Sequence, residues 1–167
     1  MSIEIREANL HDAADAAGFL AVLESYAQGI MGGGAALDPD VKRRLVPALL
    51  EQPSALVLLA LSGERQQVVG IASCFFGFST FAARPLLNVH DLAVLPEFQG
   101  RGIGRALLGG AEERARQRGC AKLTLEVLEE NQRALGLYRE RGFRDFELRG
   151  VARRTLFLTK SLSPPAD

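Results

Sequence analysis

The sequence predicts an α/β domain with a mixed, largely antiparallel sheet, and three observations support this fold class. Apolar residues alternate with polar ones in some segments and recur at helical spacing in others. Glycine and proline separate these segments, which follow the order β-α-α-β-β-β-α-β-α-β-β. The chain has 167 residues, a length typical of one domain. We therefore expect a single domain over residues 1–162 and a loose tail at 163–167.

The predicted strands lie where apolar residues alternate or run continuously between turn residues. They cover residues 3–6, 55–61, 68–77, 88–95, 122–128, 144–149 and 153–159. The run at 55–61 is apolar throughout, which is typical of a buried strand.

Four helices are predicted from their capping residues. Asn9 or Asp12 caps a helix that runs to about Gln28. Asp38 is followed by a proline at the first helical position and starts the second helix, which Pro47 is expected to kink or shorten. The other two helices cover residues 102–118 and 131–141, and a glycine follows each.

The bulk composition argues against several classes of protein. Twenty basic and twenty acidic residues cancel, which disfavours nucleic acid as a partner. The longest apolar run, at 55–61, is too short to span a bilayer, and the charged N-terminus lacks a signal-peptide core. Cys74 and Cys120 are far apart without metal-ligand spacing, so we expect free thiols in a reducing compartment. The expected location is cytoplasmic, without a metal or a membrane partner.

The segment EFQGRGIGRALL, residues 97–108, has glycines at three alternate positions and two interleaved arginines. It lacks the Lys-Ser or Lys-Thr pair of a P-loop, and Arg105 stands where a dinucleotide fingerprint needs glycine. Successive glycine N–H groups at a helix start favour an anion such as phosphate. Arg101 and Arg105 can reach its outer oxygens. The alternative is a plain tight turn.

Two motifs carry a resemblance to a known family. In VLPEFQGRGIGRALL, Gln99, Gly102 and Gly104 fill the fixed positions of a Q/R-x-x-G-x-G/A signature. The segment NQRALGLYRERGF, residues 131–143, resembles N-x-x-A-x-x-x-Y-x-x-x-G-F. Both are similar to motifs of the GNAT superfamily of N-acetyltransferases. The resemblance implies a GNAT-like acyl-CoA N-acyltransferase fold, in which a twisted, mostly antiparallel sheet has helices on both faces.

The same resemblance implies how acetyl-CoA binds. Its pyrophosphate would lie on the amides of residues 100–105, and its pantetheine arm would pair with the backbone of residues 92–94. The Val94 N–H would bind the acetyl carbonyl. Asn131 resembles the asparagine that binds pantetheine, although it can also be a helix cap. The implied cofactor-binding residues are Leu92, Ala93, Val94, Gln99, Gly100, Arg101, Gly102, Ile103, Gly104, Arg105 and Asn131.

Acetyl transfer needs a neutral amine and a proton for the departing thiolate. At pH 7 only about one primary amine in 2,500 is neutral, since its pKa is near ~10.4. Tyr138 occupies the tyrosine position of the family motif and is the predicted acid. The base is open between His90, Asp91, Glu126 and a water chain. Successive strand residues face opposite ways, so His90 and Asp91 share one cleft only if the strand bulges there.

The predicted acceptor is a primary amine of a small molecule. Residues 70–104 resemble the diamine (spermidine/spermine) acetyltransferase branch, which has Glu-Asp where this chain has His90 and Asp91. The lost carboxylate weakens attraction for a polycation, so polyamine acetylation is an alternative, as is acetylation of a protein lysine or N-terminus. Four aromatic residues line the acceptor pocket or belong to the core: Phe75, Phe76, Phe78 and Phe81.

Two further classes of function stay open. A non-catalytic acyl-CoA sensor can use the same fold, and a nucleotide-binding protein can use a similar anion loop. The glycines at 32–34 break the first helix and should be mobile, and the family resemblance implies that they form a flexible lid at the acceptor site. Pairing into a homodimer through the sheets is a further option that the resemblance implies.

Overall fold

The computed structural model describes residues 2–64, 66–148, 151–152, 155–160 and 162. In chain order its strands and helices are β1 Ile3–Glu7, α1 Ala13–Gln28, α2 Pro39–Leu50, β2 Ala55–Ser62, β3 Gln67–Ser79, β4 Arg84–Val94, α3 Ile103–Gln117, β5 Leu123–Leu125, α4 Gln132–Glu140, β6 Glu147–Leu148 and β7 Val151–Ala152. Two short 3₁₀ turns, Ile30–Gly32 and Pro96–Phe98, follow α1 and β4. The predicted order of elements is confirmed as far as β6.

Strands β1 to β5 form one sheet in sequential order. The first three pairings are antiparallel, and β5 runs parallel to β4. The predicted mixed, mostly antiparallel sheet is therefore confirmed. Strand β2 lies in its interior, where Leu58, Leu59 and Ala60 are at most 1% exposed. Full burial of a leucine side chain contributes about 1.5–3 kcal/mol, so this apolar run anchors the fold.

Helices cover both faces of the sheet, as predicted. On one face, Leu107, Leu108 and Ala111 of α3 pack in a core with Leu58. On the other, Phe19 of α1 packs with further residues of α1, α2 and β2, among them Val22, Leu49 and Leu59. The two faces of the sheet are therefore covered by two separate hydrophobic cores.

Local capping places α1 where the sequence predicts it. The Asp12 carboxylate accepts hydrogen bonds from the N–H groups of Ala14 and Asp15, both at 3.0 Å. Asp15 is itself buried and accepts two hydrogen bonds from Arg6 of β1, at 2.6 and 2.7 Å. The start of α1 is thus tied to the edge strand of the sheet.

Two predicted strand bounds are wrong, and one of the two effects expected of Pro47 is not observed. Pro47 does not shorten α2, which continues to Leu50, since one lost N–H near its end leaves the rest of the helix hydrogen-bonded. The alternative of a kink at Pro47 stays a prediction. Strand β5 ends at Leu125 rather than at residue 128, because its ladder with β4 stops there. The strand predicted over 144–149 begins only at Glu147, where the two-residue β6 starts.

The final predicted strand, over 153–159, is absent where the structure describes it. Strands β6 and β7 form a separate two-stranded sheet, and residues 155–160 carry no regular structure. Leu156, Phe157 and Leu158 are 67%, 74% and 83% exposed. Apolar alternation becomes a strand only where a neighbouring strand supplies hydrogen bonds. Residues 153–154 and the predicted tail at 163–167 lie outside the described residues.

No helix in the described part of the chain is long and apolar enough to cross a membrane.

Candidate active site

The candidate site is a cavity of about 1190 Å³ at the point where β4 and β5 separate. The two strands pair from Leu87 to Val89 on β4, and beyond Val89 the chain continues in β4 without a partner in β5. Tyr26, from α1, and Tyr138, from α4, both line the cavity. Since α1 and α4 pack on opposite faces of the sheet, the cavity passes through it.

A β-bulge interrupts β4 at its centre. Cys74 of β3 pairs with Val89 and Ser73 pairs with Asp91, so His90 is the extra residue between them. A bulge re-aims the side chains on either side of it. His90 is exposed, lines the cavity, and contacts the ring of Phe75 edge-on with 5.7 Å between centroids. The bulge that the sequence analysis required is present, yet Asp91 does not line the cavity.

The glycine-rich loop forms one end of the cavity. Gly100 and Gly102 have φ angles of +78° and +79°, which favour glycine. A Cβ at either position would meet no atom within 4 Å, so the backbone faces open space. Helix α3 begins at Ile103 without a side-chain cap. Its first N–H groups are therefore available to an anion, and this open cradle fits a phosphate group.

Of the two arginines predicted to reach the phosphate oxygens, one lines the cavity. Arg105 lines the cavity and is paired with Glu140 at 2.5 Å. Arg101 does not line it: its guanidinium donates to the Glu97 carbonyl at 2.9 Å and lies over the Phe98 ring.

Arg133 is a cavity residue that the sequence analysis missed. It lies in the first turn of α4 and donates to the Gln99 side-chain oxygen at 2.5 Å. The Gln99 amide nitrogen in turn donates to the Val94 carbonyl at 3.0 Å. Gln99 thus joins the end of β4 to the start of α4 across the glycine loop. The available signal was the position of Arg133 two residues after the predicted cap, Asn131.

The other predicted cofactor-binding residues, apart from Arg101, all line the cavity. Asn131 does so while its side-chain oxygen accepts the N–H of Ala134 at 3.1 Å, which caps α4. Its cap role is therefore observed, and its role toward pantetheine stays a prediction.

Tyr138 lies on α4 and lines the cavity. Its ring packs against Phe143, with 5.8 Å between the centroids. Burial raises the pKa of Tyr138, and the charge of the nearby Tyr26 adds to this effect. The Tyr138 hydroxyl is therefore protonated at neutral pH and can donate a proton.

Tyr26 is a second cavity residue that the sequence analysis missed, although the chain contains only two tyrosines. Its hydroxyl donates to the Met31 carbonyl at 3.2 Å, which holds the 3₁₀ turn after α1 at the cavity mouth. Burial raises the pKa of Tyr26, and the Asp91 carboxylate raises it further. Nothing local in the sequence marks this residue, because its position depends on how α1 crosses the sheet.

Among the remaining base candidates, Glu126 lines the cavity just beyond the end of β5. The Asn88 amide lies 3.5 Å from a Glu126 carboxylate oxygen. Cys74 is not a candidate nucleophile, since burial, aided by Asp91, raises the pKa of its thiol to about 12.

Of the two alternatives for the four phenylalanines, the core is confirmed for Phe75 and Phe76, and lining of the cavity is found for none of the four. None of the four phenylalanines of β3 and its turn lines the cavity. Phe75 and Phe76 pack against the two cores, whereas Phe78 and Phe81 are 62% and 105% exposed. The strand extends past β2 at this end, so its last side chains have no layer to pack against.

No group of three or more metal-ligating side chains occurs within the described residues.

The fold of this chain closely resembles those of several solved structures. A transcriptional regulator from Bacillus halodurans has a TM-score of 0.76 at 21% identity, over 95% of this chain and 99% of that one. The complex of AAC(6')-Iy with the bisubstrate analogue CoA-S-monomethyl-acetylneamine has a TM-score of 0.74 at 16% identity, over 96% and 99%. These likenesses establish the fold class.

Residues 18–143 match the Acetyltransferase (GNAT) family, and the chain belongs to this family. Thialysine N-epsilon-acetyltransferase from Bos taurus is 38% identical over 90 residues, which are 53% of this chain and 52% of that protein. The chain spans about half the length of this relative.

Proposed function

We propose that the protein transfers an acetyl group from acetyl-CoA to a primary amine of a small molecule by direct attack. The observation that carries the proposal is a single cavity that crosses the sheet. An open glycine cradle lies at one end, and two tyrosines, His90 and Glu126 line the same cavity. Anion binding and proton transfer are thus available in one continuous space.

The cofactor half of the proposal rests on the loop. Gly100 and Gly102 leave the space of a side chain open, and α3 begins there without a side-chain cap. The N–H groups of residues 100–105 would hold the pyrophosphate, with Arg105 and Arg133 close by. Acetyl-CoA supplies the activated acyl group.

The acid half of the proposal rests on Tyr138. A thiolate that leaves the acetyl group takes up a proton, and a buried phenol that stays protonated at neutral pH can supply it. The tyrosine lines the cavity together with the glycine loop and β4.

The base must take a proton from an ammonium group before attack. His90 and Glu126 both line the cavity, while Asp91 does not, so we propose the first two, directly or through water. Replacing each separately by Gln distinguishes them. The variant that lacks the true base should lose most of its activity at pH 7. It should recover part of that activity at pH 9, where more of the amine is already neutral.

Acetyl-CoA turnover against a panel of amines, followed through free thiol release, tests the proposal. The panel includes thialysine, because relatives of this chain are thialysine N-epsilon-acetyltransferases, together with monoamines, diamines, polyamines and a lysine peptide. Release that depends on an amine supports an enzyme. Tight acetyl-CoA binding without release from any amine would instead favour a sensor.

A further inference from the structure

Exposed hydrophobic side chains lie at the mouth of the cavity. Four large hydrophobic side chains that line the cavity are also exposed to solvent: Ile30 at 92%, Met31 at 37%, Leu128 at 57% and Phe157 at 74%. Exposed apolar groups gathered around a concave site mark a surface that a ligand covers. Tyr26 holds two of them in place, since its hydroxyl bonds the Met31 carbonyl at 3.2 Å.

The charges that line the cavity are few and unevenly placed. Arg105 is paired with Glu140 at 2.5 Å, and Arg133 bonds Gln99, so these groups lie at the glycine loop. Among the described residues, Glu126 is the lining carboxylate outside that ion pair. His90 is the remaining ionisable group besides the tyrosines, and Asp91 does not line the cavity.

This charge pattern limits the acceptor. A charge taken out of water needs a partner of opposite sign. One carboxylate can match one ammonium, whereas the further ammonium groups of a polyamine would find no second unpaired carboxylate among the described lining residues. The carboxylate of an amino acid acceptor would be repelled by Glu126. Among the described residues, the cavity has no lining cation away from the glycine loop that could bind this carboxylate.

We propose that the acceptor is a monoamine with an apolar body, whose single ammonium group approaches Glu126 and whose hydrocarbon part covers Ile30 and Met31. This inference rests on the proposed acetyltransferase function and specifies its acceptor. It implies that neither thialysine nor a polyamine is the preferred acceptor of this chain, because of the side chains that line its cavity.

A chain-length series tests the proposal. The kcat/KM values for n-propylamine through n-hexylamine are compared with those for the α,ω-diamines of equal length, spermidine and thialysine. We expect kcat/KM to rise about twofold to fourfold with each methylene of the monoamine. Each diamine should be at least about tenfold poorer than its monoamine, because its second ammonium lacks a partner.

Ile30→Asp adds a carboxylate at the mouth and is expected to fold normally, since Ile30 is 92% exposed. It should flatten the chain-length dependence and reduce the preference for monoamine over diamine by about tenfold. Phe81→Asp is the matched control, because Phe81 is fully exposed and does not line the cavity. It should keep the wild-type preference.

The outcomes separate the two proposals. Efficient turnover with diamines, spermidine or thialysine above the monoamines overturns the monoamine inference and leaves the acetyltransferase function standing. An Ile30→Asp variant that keeps the wild-type preference also overturns it. Absence of amine-dependent thiol release with every amine overturns both.

Discussion

Tyr138 is the residue on which the proposed chemistry depends most directly. Its pKa is raised by burial and by Tyr26, so the hydroxyl holds its proton at neutral pH. Tyr138→Phe keeps the ring against Phe143 and removes only the hydroxyl. We expect kcat to fall about a hundredfold, within the usual range for a general acid, with little change in acetyl-CoA affinity. Single-turnover thiol release and calorimetric binding measure the two quantities.

The pH profile gives Tyr138 a second test. Because burial raises the pKa of Tyr138 above its ordinary value of 10.0, the midpoint of a Tyr138-dependent fall in kcat should lie above pH 10. If kcat of the wild type falls at a lower pH, and kcat of Tyr138→Phe falls in the same way, another group is responsible for the loss of activity. Tyr26→Phe is the tyrosine control, and it should change KM for the amine more than kcat.

The glycine loop is the element on which the proposed binding of acetyl-CoA depends. At Gly102, φ is +79° and the Cβ direction is open. Gly102→Val should abolish acetyl-CoA binding, because the branched side chain fills the space proposed for phosphate. Backbone strain alone could mimic this effect, at about 1–2 kcal/mol for a side chain in the left-handed region.

Gly119→Val is the matched control for that strain. Gly119 also has a positive φ, +67°, and no atom within 4 Å of a Cβ, but it follows α3 at the end away from the loop and does not line the cavity. It should be destabilised to a similar extent and still bind acetyl-CoA. Equal loss of acetyl-CoA binding in both variants would show that the glycine loop is not part of the binding site.

The turn after α1 is the second element with a testable role. Gly33 and Gly34 have positive φ, yet the segment is held by hydrogen bonds such as Gly32 N–H to the Gly29 carbonyl at 2.9 Å. We predict that it still opens as a lid. Its amides should exchange hydrogen much faster than those of the buried β2. Equal protection would show a rigid rim instead.

At the scale of the whole molecule, one ion pair joins the edge of the sheet to the first helix. Asp15 accepts two hydrogen bonds from Arg6 and one from the Asn9 N–H at 2.8 Å. Asp15→Ala leaves these donors without their acceptor, at a cost of about 1–3 kcal/mol in the free energy of unfolding. Glu113→Ala is the control: that side chain is 65% exposed, and its loss should cost at most about 0.5 kcal/mol.

The same pair predicts a pH dependence. The Arg6 hydrogen bonds lower the pKa of Asp15 below its ordinary value of 3.8. A carboxyl with a lowered pKa stabilises the fold fully above that ordinary value and loses its contribution as the pH falls through the folded-state value. The stability gap between wild type and Asp15→Ala, measured by urea unfolding, should therefore narrow below pH 3.8. A gap independent of pH would attribute the loss to packing.

The sequence alone predicted the features that depend on local chemistry. The order of the elements as far as β6, a cap at Asn9 or Asp12, the Asn131 cap, the apolar strand β2 and the glycine loop before α3 all follow from residues close together in the chain. The hydrogen bonds of caps and turns are made to residues a few positions away in the chain, so they can be predicted without knowledge of the fold. The family motifs are of this kind as well.

Only the tertiary structure decided what depends on distant partners. It ended β5 at Leu125, because a strand lasts only as long as its neighbour's ladder, and so opened the cavity. The bulge turned His90 into that cavity and left Asp91 out of it, while the crossing of α1 over the sheet brought Tyr26 to the same space as Tyr138. Pairing and packing across the sheet are properties of surfaces that meet only after folding, and no local pattern in the chain records them.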